Sequence, residues 1–194
     1  MEKFKHQHFK IYKPYGYLSQ FVNNDICKHK KKLLGELSSF PENIMAIGRL
    51  DEKSEGLLLL TTDGQMSEHF RSKSIEKEYY VQVDGDISAA EIEVLQKGVE
   101  IGIHGKKYKT NPCKVSKLSE TPSFPVRTKK IRDDRHGPTS WISVIITEGK
   151  FRQVRKMTAA VGFPTLRLVR VRVGHIRLNN MQIGDVVELK KIKN

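Results

Sequence analysis

The groups in this chain best suited to chemistry are one carboxylate, Asp51, and the cationic side chains that could face it. Asp51 ends the run Gly48-Arg49-Leu50-Asp51, a short polar turn between two apolar runs, Ile44 to Ile47 and Leu57 to Leu60. Short apolar runs bounded by turn residues predict buried strands, so the turn sets a lone acid at the rim of a core. A carboxylate placed there can act as a nucleophile or general base, and a nearby guanidinium favours its charged form. The same five residues also describe an ordinary surface Asp beside Arg49.

The second group lies in Glu148-Gly149-Lys150-Phe151-Arg152-Gln153-Val154-Arg155-Lys156-Met157. Read as a helix from about Phe151, its residues Phe151, Val154, Met157 and Val161 recur at three- and four-residue steps, forming one core-facing stripe. Arg152, Arg155 and Lys156 then stack on an adjoining face, and Gly162 and Pro164 close the helix. A solvated basic face has this pattern too. Arginine, however, suits bidentate pairing with a carboxylate or phosphate better than lysine does. A third group is Lys77-Glu78-Tyr79-Tyr80-Val81, in which adjacent tyrosines on a strand face opposite sides, one to the core and one outward. In a fourth, Val169, Val171 and Val173 alternate with Arg170 and Arg172. A strand there would bury the valines and present both arginines as a basic patch for RNA.

The elements that must position these groups are legible in outline. Phe9 to Tyr12 reads as a first strand, ended by Lys13-Pro14-Tyr15-Gly16. Cys27 to Phe40 carries the cations Lys28, Lys30, Lys31 and Lys32, then apolar residues at helix-like spacing. Gly64 closes a turn before a short helix, Gln65 to Arg71, and Tyr79 to Val83 alternates as a strand. Ser88-Ala89-Ala90-Glu91 is a capping box, opening a helix that turns Ile92 and Leu95 inward and stops near Gly98. Glu120 to Pro138 reads as a long loop rich in Lys, Arg and Asp, and Trp141 to Ile146 as a strand. Strands and helices interleave without the rhythm of a parallel α/β fold, which predicts α+β with a mixed sheet.

Composition narrows the function classes. The 194 residues can bury one sizeable core, as one domain or two small subdomains. Hydrophobic residues are 38% and charged residues 29%, as in a soluble globular protein. With 35 Lys+Arg against 22 Asp+Glu the net charge is +13, which favours a polyanionic partner through counterion release. Cys27 and Cys113 have neither a disulfide framework nor metal-ligand spacing, and read as reduced thiols of a cytoplasmic protein. The scattered histidines hold no metal pattern. Met1 to Lys10 lacks the apolar run of a signal peptide, and no segment is long enough to span a membrane.

Gly48-Arg49-Leu50-Asp51 with Gly56-Leu57-Leu58-Leu59-Leu60-Thr61-Thr62-Asp63-Gly64 resembles the catalytic motif of the pseudouridine synthases. Lys77-Glu78-Tyr79 looks like their second motif, and Glu148 to Met157 like the third, in the form of the RsuA-like branch acting on ribosomal RNA. Lys13-Pro14-Tyr15, Ser19-Gln20-Phe21, Tyr79-Tyr80-Val81-Gln82-Val83, Pro138-Thr139-Ser140-Trp141 and Val161 to Leu168 are similar to the RluE-type subgroup, whose target lies in 23S ribosomal RNA. The resemblance runs from about residue 9 to 190. It implies Asp51 as the nucleophile, Tyr79 stacked on the target base, and Arg155 in a salt bridge with Asp51. Arg49, Lys77, Arg152 and Lys156 would lie near the RNA backbone. It further implies a pseudouridine synthase fold, with a bent, mainly antiparallel mixed sheet built from two α+β subdomains around a central cleft. On this reading residues 1–8 are a basic tail, 9–190 the catalytic domain, and the small amino-terminal S4 domain of many relatives is absent. The enzyme would work as a monomer on large-subunit ribosomal RNA, without cofactor or metal. Phe151, where relatives often carry a polar residue, and the basic 127–136 loop depart from the pattern.

Two other readings stay open on sequence alone. A non-catalytic ribosomal-RNA-binding or assembly protein of the same fold accounts equally well for the charge. A glycoside hydrolase also cuts at C1′, but it needs two carboxylates across the scissile bond, and Glu52 and Glu55 are only turn neighbours of Asp51.

Overall fold

The structure is a computed structural model and describes residues 5–22, 31–72, 74–132 and 134–190. Its centre is the leucine run. Strand β3 (Glu55–Thr61) is buried at every position. Because successive side chains point to opposite faces, Leu58 and Leu60 enter one core while Leu57 and Leu59 enter a second. Two apolar faces require cover on both sides, which explains an uninterrupted run where a half-exposed strand would alternate.

Strands β1 (His8–Lys13) and β9 (Thr165–Val173) flank β3. The β1 pairing is antiparallel, from His8 opposite Thr61 to Lys13 opposite Gly56. The β9 pairing is parallel, Glu55 with Val169 and Gly56 with Arg170, the one parallel pairing of strands among the described residues. Gly56, at φ 101°, allows it: a Cβ there would stand 2.4 Å from the Arg170 carbonyl oxygen. Beyond β9 come β4 (Lys77–Asp84), β8 (Thr139–Ile146) and β7 (Lys114–Lys117), and β11 (Val186–Glu188) closes the other edge. The order β11-β1-β3-β9-β4-β8-β7 is continuous. Short strands β2 (Met45–Ile47) and β10 (Ile176–Arg177) add to β3 and β9, while β5 (Glu100–Ile103) and β6 (Lys106–Lys109) form a separate hairpin. The fold is α+β on a mixed, mainly antiparallel sheet, as expected.

Helix α1 (Gly64–Arg71) covers one core with Phe70. Helices α2 (Ala89–Gln96) and α3 (Gln153–Ala160) cover the other with Leu95, Val154 and Met157. The Ser88–Glu91 capping box forms as the sequence predicts. Gly64 does not close a turn: it is the first helical residue, and the Asp63 carboxylate caps it by accepting from the amides of Gln65 and Met66.

Two further expectations fail. The helix expected from Phe151 starts two residues later, because Arg152 adopts left-handed backbone (φ 52°), and Phe151 is 58% exposed instead of facing the core. The helical spacing read between Cys27 and Phe40 gives, over residues 31–40, only a three-residue 3-10 turn, Leu34–Glu36. Cys27, Lys28 and Lys30 fall outside the described residues.

Candidate active site

Asp51 occupies the turn that feeds β3, and several backbone contacts hold that turn. The amide of Ser54 donates to the Asp51 carbonyl at 3.0 Å, and the amide of Gly16 donates to the Glu52 carbonyl at 2.8 Å. Buried Ser19 clamps the preceding residue, its hydroxyl donating to the Leu50 carbonyl (2.8 Å) and accepting from the Leu50 amide (2.9 Å). The carboxylate thus stands on a turn tied to the β1 loop from two directions, with its side chain 23% exposed.

Helix α3 delivers the counter-ions. Arg155 Nε lies 3.8 Å from Asp51 Oδ2, and Arg152 Nη1 lies 3.9 Å from the same oxygen. Arg155 is further anchored by Nη2, which donates to the Lys53 carbonyl (2.6 Å) and the Ser54 hydroxyl (3.2 Å). Its Nε proton is buried with no acceptor within hydrogen-bond range. Burial depresses the Arg155 pKa below the usual arginine value, and the Asp51 carboxylate opposes that shift. The left-handed Arg152 costs about 1–2 kcal/mol in an L-residue, a strain expected where a functional group must be held in place. Arg49 is exposed and, among the described residues, forms no ion pair with Asp51.

Tyr79 completes the group. It is 9% exposed on β4 and, with Leu50, Asp51, Ser54, Ile146, Arg152 and Leu168, lines a small cavity of about 80 Å³. That cavity abuts a cleft of about 810 Å³ that also includes Asp51, Arg49 and Arg152. Of the paired tyrosines, Tyr79 is the buried one. Tyr80, on the opposite face, sits edge-on to Phe124 at 6.1 Å.

Other expected contacts resolve differently. The Lys77 ammonium donates to the carbonyls of Thr147 (2.9 Å) and Ser72 (3.3 Å). Burial, with Arg170 adding repulsion, lowers its pKa to about 8. Lys156 does not stack with Arg152 and Arg155: its Nζ donates to the Gly102 carbonyl at 2.6 Å, 5.1 Å from the Phe151 ring centroid. The two arginines expected as a basic patch on β9 are held within the protein. Arg170 is 4% exposed and its Nε donates to the Leu57 carbonyl (2.8 Å). Arg172 pairs with Glu78 (2.7 Å) and Glu76 (3.0 Å). Both arginines are engaged by the strands on either side of β9, Arg170 by the β3 backbone and Arg172 by Glu78 of β4 and Glu76 just before it, and Arg170 also lines a cavity with Arg49, Lys77 and Tyr79.

Sequence reasoning missed a buried charged set behind the turn. Glu55 is fully buried and chelated by Arg167, Nε at 3.1 Å and Nη2 at 3.0 Å. Lys13 is fully buried too, its ammonium donating to the carbonyls of Pro14 (2.9 Å) and Tyr17 (2.7 Å). Burial brings its pKa down to about 7 against the opposing attraction of Glu55 and Asp51. Only the Lys13-Pro14-Tyr15 wording carried any signal of it. Among the described residues, no group of three or more His, Cys, Asp or Glu side chains is placed to hold a metal ion. No described helix is long and apolar enough to cross a membrane.

One acid with two arginines and a buried tyrosine beside it stand on a mainly antiparallel mixed sheet. The family model for RNA pseudouridylate synthase matches residues 7–160, and the chain belongs to that family and is an RNA pseudouridine synthase, an isomerase. It is 42% identical over 175 residues to a ribosomal large subunit pseudouridine synthase E of Xanthomonas campestris, covering 89% of this chain and 90% of that protein. It is 41% identical to a protein of the same name from Vibrio parahaemolyticus, over 92% of this chain and 71% of the relative. A crystal structure of a pseudouridylate synthase superposes with a TM-score of 0.73 at 27% identity, over 96% of this chain and 71% of that one. A Cbf5 complex from an archaeal box H/ACA particle shares the fold at TM-score 0.54 and 16% identity, over 91% of this chain and 50% of that one.

Proposed function

We propose that this enzyme converts a uridine of large-subunit ribosomal RNA to pseudouridine, with Asp51 as nucleophile, Tyr79 stacked on the target base and Arg155 in a salt bridge with the carboxylate. The observation that carries the reading is the meeting of two arginines, 3.8 and 3.9 Å from one carboxylate oxygen, beside the cavity that Tyr79 lines. The named relatives at 41–42% identity supply the substrate. The same reading takes residues 9–190 as one catalytic domain, acting as a monomer in the cytoplasm beside its RNA.

The reaction breaks the C1′–N1 glycosidic bond, turns the uracil and re-forms the link through C5. N1 gains a proton and C5 loses one, so atoms balance without a redox partner. The uridine must leave its stack to reach a carboxylate sunk beside Leu50 and Leu168, and an aromatic in the pocket replaces part of that stacking, worth about 1–3 kcal/mol per base. Arg155 faces the Asp51 carboxylate with an unused Nε proton, a counter-charge for the nucleophile beside the bound uridine. Arg49 and Arg152, on the rim of the larger cleft, lie where the strand's phosphates would pass.

The test is Asp51→Asn, assayed by tritium release from 5-tritiated uridine in a large-subunit ribosomal RNA transcript. Turnover should vanish while RNA affinity stays close to wild type; release at the normal rate sinks the assignment.

A further inference from the structure

The long loop between β7 and β8 is not a loose connection. Glu55 draws in Arg127 of this loop (Nη1 4.0 Å from Oε2), and Arg167, which chelates Glu55, also donates to the loop carbonyl of Pro125 at 2.9 Å. Phe124 packs at 5.8 Å on Trp141. The Arg127 guanidinium, 8% exposed, lies 4.6 Å from the Tyr15 ring centroid while its Nε donates to the Lys129 carbonyl (2.7 Å). A buried carboxylate thus seats the loop against the Pro14–Gly16 turn.

This seating creates an open groove of about 310 Å³, walled by Tyr15, Lys31, Lys32, Glu52, Thr128 and Lys129. The Lys32 backbone is fixed by a bridge to Tyr17 and by the Leu18 amide, which donates to its carbonyl at 2.9 Å. The acid of the groove, Glu52, is engaged by Lys31 at 2.9 Å. Lys32 and Lys129 are exposed and make no ion pair with an acid among the described residues. The groove is therefore pre-formed and carries uncompensated positive charge. Glu52 also lines the larger Asp51 cleft, so the two cavities meet at the residue next to the nucleophile.

We infer that this groove is a second RNA site, which takes the phosphodiester backbone of the strand as it continues past the target uridine. The inference rests on Asp51 being the point where the uridine reacts. A strand entering the larger cleft and crossing Glu52 would meet Lys32 and Lys129 next, and phosphates there would release counterions. Such contacts position the strand and carry no base specificity.

The full chain carrying Lys32→Ala and Lys129→Ala together is compared with wild type on the tritiated transcript. KM should rise several-fold at unchanged kcat. The plot of log affinity against log salt should become shallower by about 0.7 per lost contact on a single strand, about 1.4 for the pair. Lys97→Ala, an exposed lysine at the end of α2 paired with Glu93, should move neither. An active double variant with unchanged KM and salt slope overturns the groove, as does a loss of kcat alone. Failure of wild type to release tritium from this transcript would instead overturn the proposed substrate, and the salt slope measured by direct RNA binding still decides the groove.

Discussion

Arg155→Ala is the perturbation that bears most directly on the pairing of the Asp51 carboxylate. The guanidinium is 3.8 Å from the carboxylate, its side chain 12% exposed and that of Asp51 23% exposed. At an effective dielectric of about 20, two unit charges at that distance attract by about 4 kcal/mol. Arg152, at 3.9 Å but with its side chain 38% exposed, is better screened and remains in the variant. Part of the attraction therefore survives, leaving a loss of about 2–3 kcal/mol, or about 30- to 150-fold in rate at about 1.4 kcal/mol per decade. Arg155→Lys keeps the charge but loses the fork that reaches Lys53 and Ser54, and should fall between. Single-turnover tritium release from the transcript reads the chemical step directly, with RNA affinity and thermal unfolding measured alongside. A rate for Arg155→Ala within about threefold of wild type, with normal folding, would refute the pairing, a threefold change being worth only about 0.7 kcal/mol.

Two further outcomes follow from the buried charges. Arg172→Ala should lower stability by about 1–3 kcal/mol, chiefly by taking the cation from half-buried Glu78, while Glu76 keeps its pairing with Lys114 at 2.9 Å, moving the unfolding midpoint by several degrees with no change in the salt slope of RNA binding; a changed slope at constant midpoint would mark Arg172 as an RNA contact. Lys13, at about 7 when folded against an ordinary 10.5, is neutral in the folded chain and protonated in the unfolded one across that interval, so the unfolded state binds more protons and stability should rise with pH from 7. Lys77, at about 8, acts in the same direction at its upper end, whereas Cys113 and Tyr12, raised to about 11 and about 12, reverse the trend once their unfolded counterparts ionise. Denaturant unfolding between pH 7 and about 8.5 reads the first two, and Lys13→Met should flatten the rise; an equally steep rise in that variant refutes the assignment.

The sequence by itself determined the parts governed by neighbours a few residues apart. The Leu57–Leu60 run, short and bounded by turn residues, reads as a buried strand, Ser88 and Glu91 could satisfy each other's amides without outside help, and Gly162 ends α3 at φ 87° because glycine enters that conformation freely. Asp51, Tyr79 and Arg155 stood out by residue type and motif before any contact was known. Tertiary structure decided which charges are spent and which remain available. Alternation along β9 pointed Arg170 and Arg172 away from the valines, yet only the pairing of β9 with β3 and β4 brought the Leu57 carbonyl, Glu76 and Glu78 within reach of their guanidinium groups. Likewise Lys13 and Glu55 look like solvated residues beside turns, and they are buried because β1, β3 and β9 lie side by side and bring Arg167, 112 residues along the chain, onto the Glu55 carboxylate. Burial and ion pairing depend on which distant segments become neighbours, and no local pattern carries that. The same long-range closure seats the 120–132 segment beside Glu52, turning a basic loop into one wall of a groove that opens next to Asp51.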